Sequence, residues 1–142
     1  MKKVFLDTNV FLRFFVPSDT EKHRASKELI SYIEKGALRA YTSNIVFLEC
    51  YYVLTSFYKT PRDQVVEIFT RISGMRNITI VEQSDTKQAI ALWKQTSVKF
   101  MDCLIATQVG KGITLVTYDR EFRKFPSLAV ADPAEVLRVS LN

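Results

Sequence analysis

The sequence has few of the residues on which many enzymes depend. Its 142 residues include one histidine, His23, and two cysteines, Cys50 and Cys103. Two cysteines are too few for a disulfide framework or a zinc site of their own. One histidine argues against paired-histidine, Ser/His and Cys/His catalysis, and its charged neighbours place His23 on a helix surface. Any chemistry must therefore rest on carboxylates.

Long apolar runs are also missing. The longest stretches without a charged residue have nine residues each, at 40–48 and 50–58, whereas a spanning helix needs about 20 apolar residues. The N-terminus resembles a signal peptide, but Asp7, Asn9 and Arg13 interrupt its apolar part. We therefore expect no membrane segment and a cytoplasmic protein, whose two cysteines are small buried hydrophobes.

The composition is that of one soluble globular domain. Hydrophobic residues make up 47% and charged residues 25% of the chain, and this length is enough to bury a core without staples. We expect a single domain over 1–142. Lysine and arginine outnumber aspartate and glutamate by 20 to 15, for a net charge of +5, which modestly favours a polyanionic partner.

Short apolar runs alternate with amphipathic stretches. The runs predict strands at 3–6, 38–41, 78–81, 113–117 and 128–131. Because each run is continuously apolar and helices separate the runs, the pattern predicts a parallel sheet covered on both faces. The expected fold is a three-layer α/β domain with four or five strands, whose ligands bind beyond the carboxyl ends of the strands.

The helices between these strands are predicted from their start and stop signals. The first is opened by the capping box Ser18–Glu21 and ends at Gly36, and the second is a very apolar helix over about 44–58, capped by Ser43. The third runs from Thr60-Pro61 to near Gly74 and turns Val65, Val66, Phe69 and Ile72 inward. The last three are a helix from Ser84 to about Gln95, a helix over about 100–109 and a short helix opened by Asp132-Pro133.

Four acidic residues stand in apolar surroundings. Asp7 directly follows KVFL and Asp119 follows ITLVTY, so both are expected at the carboxyl edge of the sheet. Glu49 lies within IVFLECYYVL and Asp102 within FMDCLIA, where their helical neighbours are apolar. An unpaired ionised carboxylate on a buried face is costly and needs a partner. The ordinary alternatives are helix caps or a turn for the three aspartates and a core salt bridge for the glutamate.

Three further acids have apolar flanks or lie near the predicted strands, and the sequence leaves the role of only one of them open. Glu67 has apolar flanks, but polar residues share its helix face, so it serves as a solvated control. Asp132 belongs to a sequence typical of a capping box. Glu82 follows a predicted strand, and the pattern alone does not decide its role.

Several inward carboxylates without a matching basic or histidine partner favour a hard divalent cation. Oxygen ligands suit Mg²⁺ or Mn²⁺, and the pattern leaves open whether one or two ions bind. Such ions activate a water and neutralise the charge that develops at a phosphoryl centre. Eleven other acidic residues then face twenty basic ones, which predicts a basic rim around an acidic hole, as a nuclease needs.

Three stretches carry a resemblance to a known family. VFLDTNVFLRFF, TSNIVFLECYYVL and MDCLIATQVGKGITLVTYDREF occur in this order. With them the sequence resembles the PIN domain, and within it the VapC-like toxins of toxin–antitoxin pairs. The resemblance implies an α/β/α fold and an Mg²⁺- or Mn²⁺-dependent endoribonuclease, a hydrolase acting on RNA.

The resemblance also assigns roles to particular residues. It implies that the family's four metal-binding and catalytic acids are Asp7, Glu49, Asp102 and Asp119, and that Asn9 and Thr117 support them through hydrogen bonds. For an additional acid found in some members the nearest candidate is Glu121, which also reads as a solvated helix residue. The resemblance further implies a homodimer and a cognate antitoxin, and no feature names the RNA or the antitoxin.

Two other functions remain open from the sequence alone. The first is a phosphoryl-transfer or signalling domain, receiver-like or haloacid-dehalogenase-like, with Asp7 as phosphoacceptor. Such domains generally require a second acid beside the first or two positions from it, where this chain has Leu6, Thr8 and Asn9. The second is a PIN fold that binds RNA without cutting it, against which the intact set of four acids argues.

The apolar helix at 44–58 also has two interpretations. It is either a central core helix or a helix of which part of the surface pairs with a second copy and part receives an antitoxin.

Overall fold

Five parallel strands form the centre of the structure. The computed structural model describes residues 2–140, with strands β1 (Lys2–Leu6), β2 (Leu38–Ser43), β3 (Ile78–Val81), β4 (Thr114–Val116) and β5 (Val130–Ala131). They pair in the order β3-β2-β1-β4-β5, and every pairing is parallel. The predicted α/β class is thus confirmed, at the upper of the two expected strand numbers.

In the part of the chain that the structure describes, seven α-helices surround the sheet. They are α1 (Thr8–Phe15), α2 (Thr20–Glu34), α3 (Asn44–Tyr52), α4 (Arg62–Ser73), α5 (Thr86–Gln95), α6 (Phe100–Gln108) and α7 (Pro133–Ser140). A π-helical turn follows α3 at Val53–Phe57, and a 3₁₀ turn follows β4 at Arg120–Lys124. Within residues 2–140, no helix combines the length and apolar character needed to cross a bilayer.

The middle of the sheet explains why its strands are continuously apolar. Val4, Phe5 and Leu6 of β1 are fully buried, as are Leu115 and Val116 of the neighbouring β4. Helices cover both faces of a parallel sheet, so these inner positions are shielded from water, whereas Lys2 and Lys3 at the start of β1 are exposed. The buried strand residues belong to one core that extends into α2, α3 and α6.

The topology brings several chain segments to one edge of the sheet. Leu6 pairs with Val116 at the ends of β1 and β4, and the Asp7 amide donates to the Val116 carbonyl at 3.1 Å. Helix α3 begins directly after β2, which is the other neighbour of β1. Because the helix before a parallel strand runs back along the sheet, the first turn of α6 also lies at this carboxyl edge.

Two predicted helix caps are wrong by one residue. The cap of α2 is Asp19, whose carboxylate accepts from the Lys22 amide at 3.1 Å, rather than Ser18. The cap of α5 is Asp85, which accepts from the Gln88 amide at 3.0 Å, rather than Ser84. Aspartate caps a helix as well as serine does, so a Ser-Asp pair leaves two possible starts.

Three further expectations need correction. The predicted elements include no helix directly after Asp7, yet α1 begins there and buries Val10 and Phe11. The predicted helix at 44–58 is α-helical only to Tyr52 and continues as the π turn, within which the Thr55 hydroxyl donates to the Tyr51 carbonyl. Val66, expected inward, is exposed because α4 turns its neighbour Val65 to the core.

Candidate active site

The four acidic residues come from four different segments. Asp7 follows β1, Asp119 lies just beyond β4, Glu49 is in α3, and Asp102 is in the first turn of α6. Asp7 is 3% exposed and Asp102 is 2% exposed, while Glu49 and Asp119 are half-buried. We call these four residues the acidic cluster.

The pKa values of the two buried acids show how the cluster is coupled. Burial, followed by the charge of Glu49, raises the pKa of Asp7 from 3.8 to about 7. Burial raises the pKa of Asp102 to about 7 as well, and the charges of Glu49 and then Asp119 add to the effect. Both buried carboxyls therefore respond to the same glutamate, as expected for like charges sharing one site.

Capping, turn formation and salt bridging account for only one of the four acids. Asp7 precedes α1 without a capping hydrogen bond from its side chain, and α6 has Lys99, not Asp102, at its cap position. Glu49 forms no salt bridge to any residue within 2–140. Asp119 does cap the 3₁₀ turn, accepting from the Glu121 amide at 2.9 Å.

Asn9 and Thr117 belong to one hydrogen-bond network with the cluster. The Thr117 hydroxyl donates to Asp7 Oδ2 at 2.8 Å and accepts from the Asp119 amide at 3.0 Å. Asn9 Nδ2 donates to the same hydroxyl at 3.2 Å, and Asn9 Oδ1 accepts from the Tyr118 amide at 3.1 Å. The network fixes the orientation of Asp7 and the path of the chain that leads to Asp119.

Sequence reasoning missed Thr8. Its hydroxyl donates a hydrogen bond to Glu49 Oε1, across 41 residues of sequence, and Thr8 itself is buried. A threonine after a strand-end aspartate resembles an ordinary turn residue. Only the packing of α1 against α3, which the sequence did not predict, reveals the contact.

The cluster has the chemistry of a site for a hard cation. Asp7 Oδ1 and Asp102 Oδ2 are buried and have no hydrogen-bond partner in the described chain, a costly arrangement that a bound cation would relieve. All the donor atoms are carboxylate oxygens, which suit Mg²⁺ or Mn²⁺. Within residues 2–140, no three acidic, histidine or cysteine side chains already stand close enough to hold an ion together. The Thr8 hydroxyl meanwhile occupies one oxygen of Glu49.

The other candidate acids have separate environments. Glu67 and Glu82 are exposed. Asp132 and Glu135 form the expected capping box, in which each side chain accepts from the other's amide, at 2.8 and 3.2 Å. Glu121 pairs with Lys124 at 2.6 Å, and its charge adds to the rise in the pKa of Asp102.

The histidine and the cysteines offer no alternative chemistry at this edge. His23 Nδ1 lies 2.9 Å from the Arg13 carbonyl oxygen, where it ties α2 to the end of α1. Cys50 and Cys103 are free and buried. Burial raises the pKa of both thiols, so neither is a ready thiolate nucleophile.

Comparison with known proteins places this arrangement in a family. The family model described as "PIN domain" matches residues 4–128. A VapC ribonuclease from Aquifex aeolicus is 26% identical over 121 residues, which cover 84% of this chain and 89% of that protein.

Two solved structures have the same fold. One is VapBC2 from Rickettsia felis bound to a DNA fragment from its promoter, with a TM-score of 0.67, 19% identity and coverage of 92% of this chain and 98% of the other. The second is VapBC-1 from nontypeable Haemophilus influenzae, with a TM-score of 0.64, 15% identity and coverage of 93% and 98%. The family match removes the basis for a receiver-like or haloacid-dehalogenase-like domain. With its sheet order, its strand-end acids and a family match over most of its length, the chain belongs to the PIN domain family.

Proposed function

We propose that this chain is a divalent-metal-dependent endoribonuclease, which hydrolyses phosphodiester bonds of RNA and acts as the toxin of a toxin–antitoxin pair. One observation carries the proposal. Asp7 and Asp102 are buried beside Glu49, and each has a carboxylate oxygen without a hydrogen-bond partner in the described chain. Burying carboxylate oxygens without partners costs free energy when no ligand is bound, so the arrangement indicates a ligand of positive charge.

The residues proposed to hold the cation are Asp7, Glu49, Asp102 and Asp119, with Mg²⁺ or Mn²⁺ as the ion. When bound, the cation activates a water and neutralises charge at the scissile phosphate. The role of the chain is to hold the four carboxylates in place. Thr117 orients Asp7, and the Thr8 hydroxyl restrains Glu49.

The charge distribution supports RNA as the substrate. Outside the acidic cluster, 11 acidic residues face 20 lysines and arginines. Basic side chains near the cluster, such as Lys99 at the start of α6, attract phosphates toward it. The Aquifex aeolicus relative, a VapC ribonuclease, supports the same substrate. We propose that the protein acts in the cytoplasm, where its RNA substrate is present.

An antitoxin is the proposed protein partner. The Rickettsia felis and Haemophilus influenzae structures with this fold are VapBC complexes. A basic side chain inserted by the antitoxin among the four carboxylates would compete with the cation and block the phosphate. We infer that inhibition works in this way.

The proposed oligomer is a homodimer that uses the outer face of α3. Leu48, Tyr51 and Tyr52 of this helix are about half exposed, and Phe57 in the π turn is 75% exposed. A continuous group of large apolar side chains on a surface favours an interface. The same helix also contributes Val46 and Cys50 to the core, so both interpretations of this segment apply to different faces.

The test is RNA cleavage by the purified chain. Cleavage is expected with Mg²⁺ or Mn²⁺, and none with EDTA. Asp102→Asn should abolish it while the circular dichroism spectrum is unchanged, and Glu67→Gln, an exposed acid in α4, should not affect it. Tight RNA binding without cleavage under every metal condition would instead support a PIN fold that binds RNA without cutting.

A further inference from the structure

A cleft of about 620 Å³ opens beside the acidic cluster. Its walls come from the first turns of α2, the segment after β4, and the start of α7. Two of its lining residues, Thr117 and Asp119, also belong to the network around Asp7. Anything bound in the cleft therefore lies next to the proposed cleavage site, and a volume of this size is typical of ligand pockets.

Both basic and acidic side chains line the cleft, namely Lys22, Arg120 and Arg123 with Glu21, Asp119, Asp132 and Glu135. Asp132 and Glu135 cap α7, and Arg123 is paired with Glu135 at 3.2 Å. Lys22 and Arg120 also line the cleft and form no ion pair with any residue within 2–140. These two side chains are therefore available to bind phosphate.

Tyr118 supplies an aromatic surface in the same cleft. Its hydroxyl lies 3.3 Å from the Lys22 carbonyl oxygen, to which it donates, and 3.4 Å from the Ser26 hydroxyl. The backbone amide of Tyr118 donates a hydrogen bond to the side-chain oxygen of Asn9. The ring is thus fixed at both ends, and the Lys22 ammonium lies 5.0 Å from its centroid. A fixed ring beside a flexible cation is suited to a nucleotide, because a base can stack on the ring while the ammonium moves to a phosphate.

We propose that this cleft binds one nucleotide of single-stranded RNA next to the scissile phosphate, with Tyr118 stacking on the base and Lys22 and Arg120 binding the flanking phosphate. The proposal rests on the proposed ribonuclease function. It specifies single-stranded RNA because a base must leave its stack to reach the ring, which bases in loops and single strands do at low cost.

The experiment measures binding of a fluorescein-labelled single-stranded oligouridylate by anisotropy, in EDTA to prevent metal-dependent cleavage and over a range of salt concentrations. The variants are Arg120→Gln, Lys22→Gln, Tyr118→Leu and Tyr118→Phe. The control is Lys111→Gln, an exposed lysine in the turn before β4, at the opposite edge of the sheet. Thermal melting of each variant confirms that it is folded.

The expected pattern separates charge from stacking. Arg120→Gln and Lys22→Gln should weaken binding and each lower the slope of log K against log salt by about 0.7. Tyr118→Leu should weaken binding about fivefold or more without changing that slope, and Tyr118→Phe, which keeps the ring but loses the hydrogen bonds of the hydroxyl, should lose less than Tyr118→Leu. Duplex RNA of the same length should compete poorly.

Equal losses for Arg120→Gln and Lys111→Gln would overturn the proposal, since net charge alone would then govern binding. Equal competition by duplex RNA would overturn the single-strand assignment. The binding assay needs no cleavage, so the two proposals fail separately. If the chain binds RNA in the expected pattern but cuts none, the nucleotide-binding cleft is supported and the nuclease activity is refuted. If it cuts RNA but does not show this binding pattern, the nuclease activity is supported and the cleft assignment is refuted.

Discussion

Replacing Asp7 by asparagine is expected to stabilise the metal-free protein at neutral and alkaline pH. Asp7 is 3% exposed, and its Oδ1 has no hydrogen-bond partner in the described chain. Burial and the nearby charge of Glu49 raise its pKa to about 7. Asparagine has nearly the same shape and no charge, so Asp7→Asn removes the cost of an ionised carboxylate in this place.

The size of the effect follows from the pKa. A change from 3.8 to about 7 corresponds to roughly 4 kcal/mol when the carboxylate is ionised in both the folded and unfolded states. The Thr117 hydroxyl, which favours the charged form, bonds an amide oxygen less strongly. The new amide N–H groups also need acceptors. We therefore expect a net stabilisation of about 1–2 kcal/mol, or about 3–6 °C in Tm.

The dependence on pH gives the sign of the effect. The protonated Asp7 makes a favourable contribution to folding that is fully present below pH 4 and is lost as the pH rises through about 7. The variant has no such titration. Its advantage over the parent should therefore be small at pH 5 and complete at pH 8.

The assay is urea unfolding of the parent and of Asp7→Asn in EDTA, at pH 5 and at pH 8. Unchanged m-values would show that the two proteins expose the same surface on unfolding. Glu67→Gln serves as the control, because an exposed acid should change the free energy of unfolding little at either pH. If Asp7→Asn destabilised the protein equally at both pH values, the electrostatic account of the cluster would be refuted.

Three further predictions concern the chemistry, the fold and the assembly. RNA fragments should carry 5′-phosphate and 3′-hydroxyl ends, because His23 contacts the Arg13 carbonyl and no histidine pair is present to activate the 2′-hydroxyl. Analysis of the fragment ends tests this, and 2′,3′-cyclic phosphates would contradict it. Phe122→Ala should lower the free energy of unfolding by about 3–5 kcal/mol, because this fully buried ring anchors the turn after Asp119, whereas a loss under 1 kcal/mol in urea titrations would contradict that role. Tyr52→Glu on the exposed face of α3 should convert the dimer to a folded monomer, as measured by light scattering, and a parent that is already monomeric at micromolar concentration would exclude the dimer.

Much of the fold could be predicted because its signals are local. The runs KVFL and ITLVT could be recognised as strands because Val4, Phe5, Leu6, Leu115 and Val116 are fully buried, and a parallel sheet covered on both faces favours apolar residues at such positions. The short helix α1 was missed because it has only eight residues and begins with the polar Thr8 and Asn9, which resemble a turn after β1. The π turn after α3 was missed because hydrophobic periodicity does not indicate where a helix changes from α to π geometry.

The acidic cluster shows the same division between local and long-range signals. Its members could be named because a carboxylate among apolar neighbours is conspicuous in any sequence. The charge of Glu49 raises the pKa of both Asp7 and Asp102. This coupling depends on α3 and α6 beginning at the same edge of the sheet, which is a long-range feature. The contact between Thr8 and Glu49 joins two segments far apart in sequence, so only the folded structure could reveal it.

Asp7, Glu49, Asp102 and Asp119 are proposed to bind the divalent cation on which RNA cleavage depends. Anomalous diffraction from crystals soaked in Mn²⁺ at pH 8, where the buried acids are ionised, tests this proposal most directly. We expect an anomalous peak about 2.0–2.2 Å from oxygens of Asp7 and at least one other member of the cluster, with Glu49 released from Thr8. A preparation that cleaves RNA in a Mn²⁺-dependent way but shows no peak among these four carboxylates would contradict it.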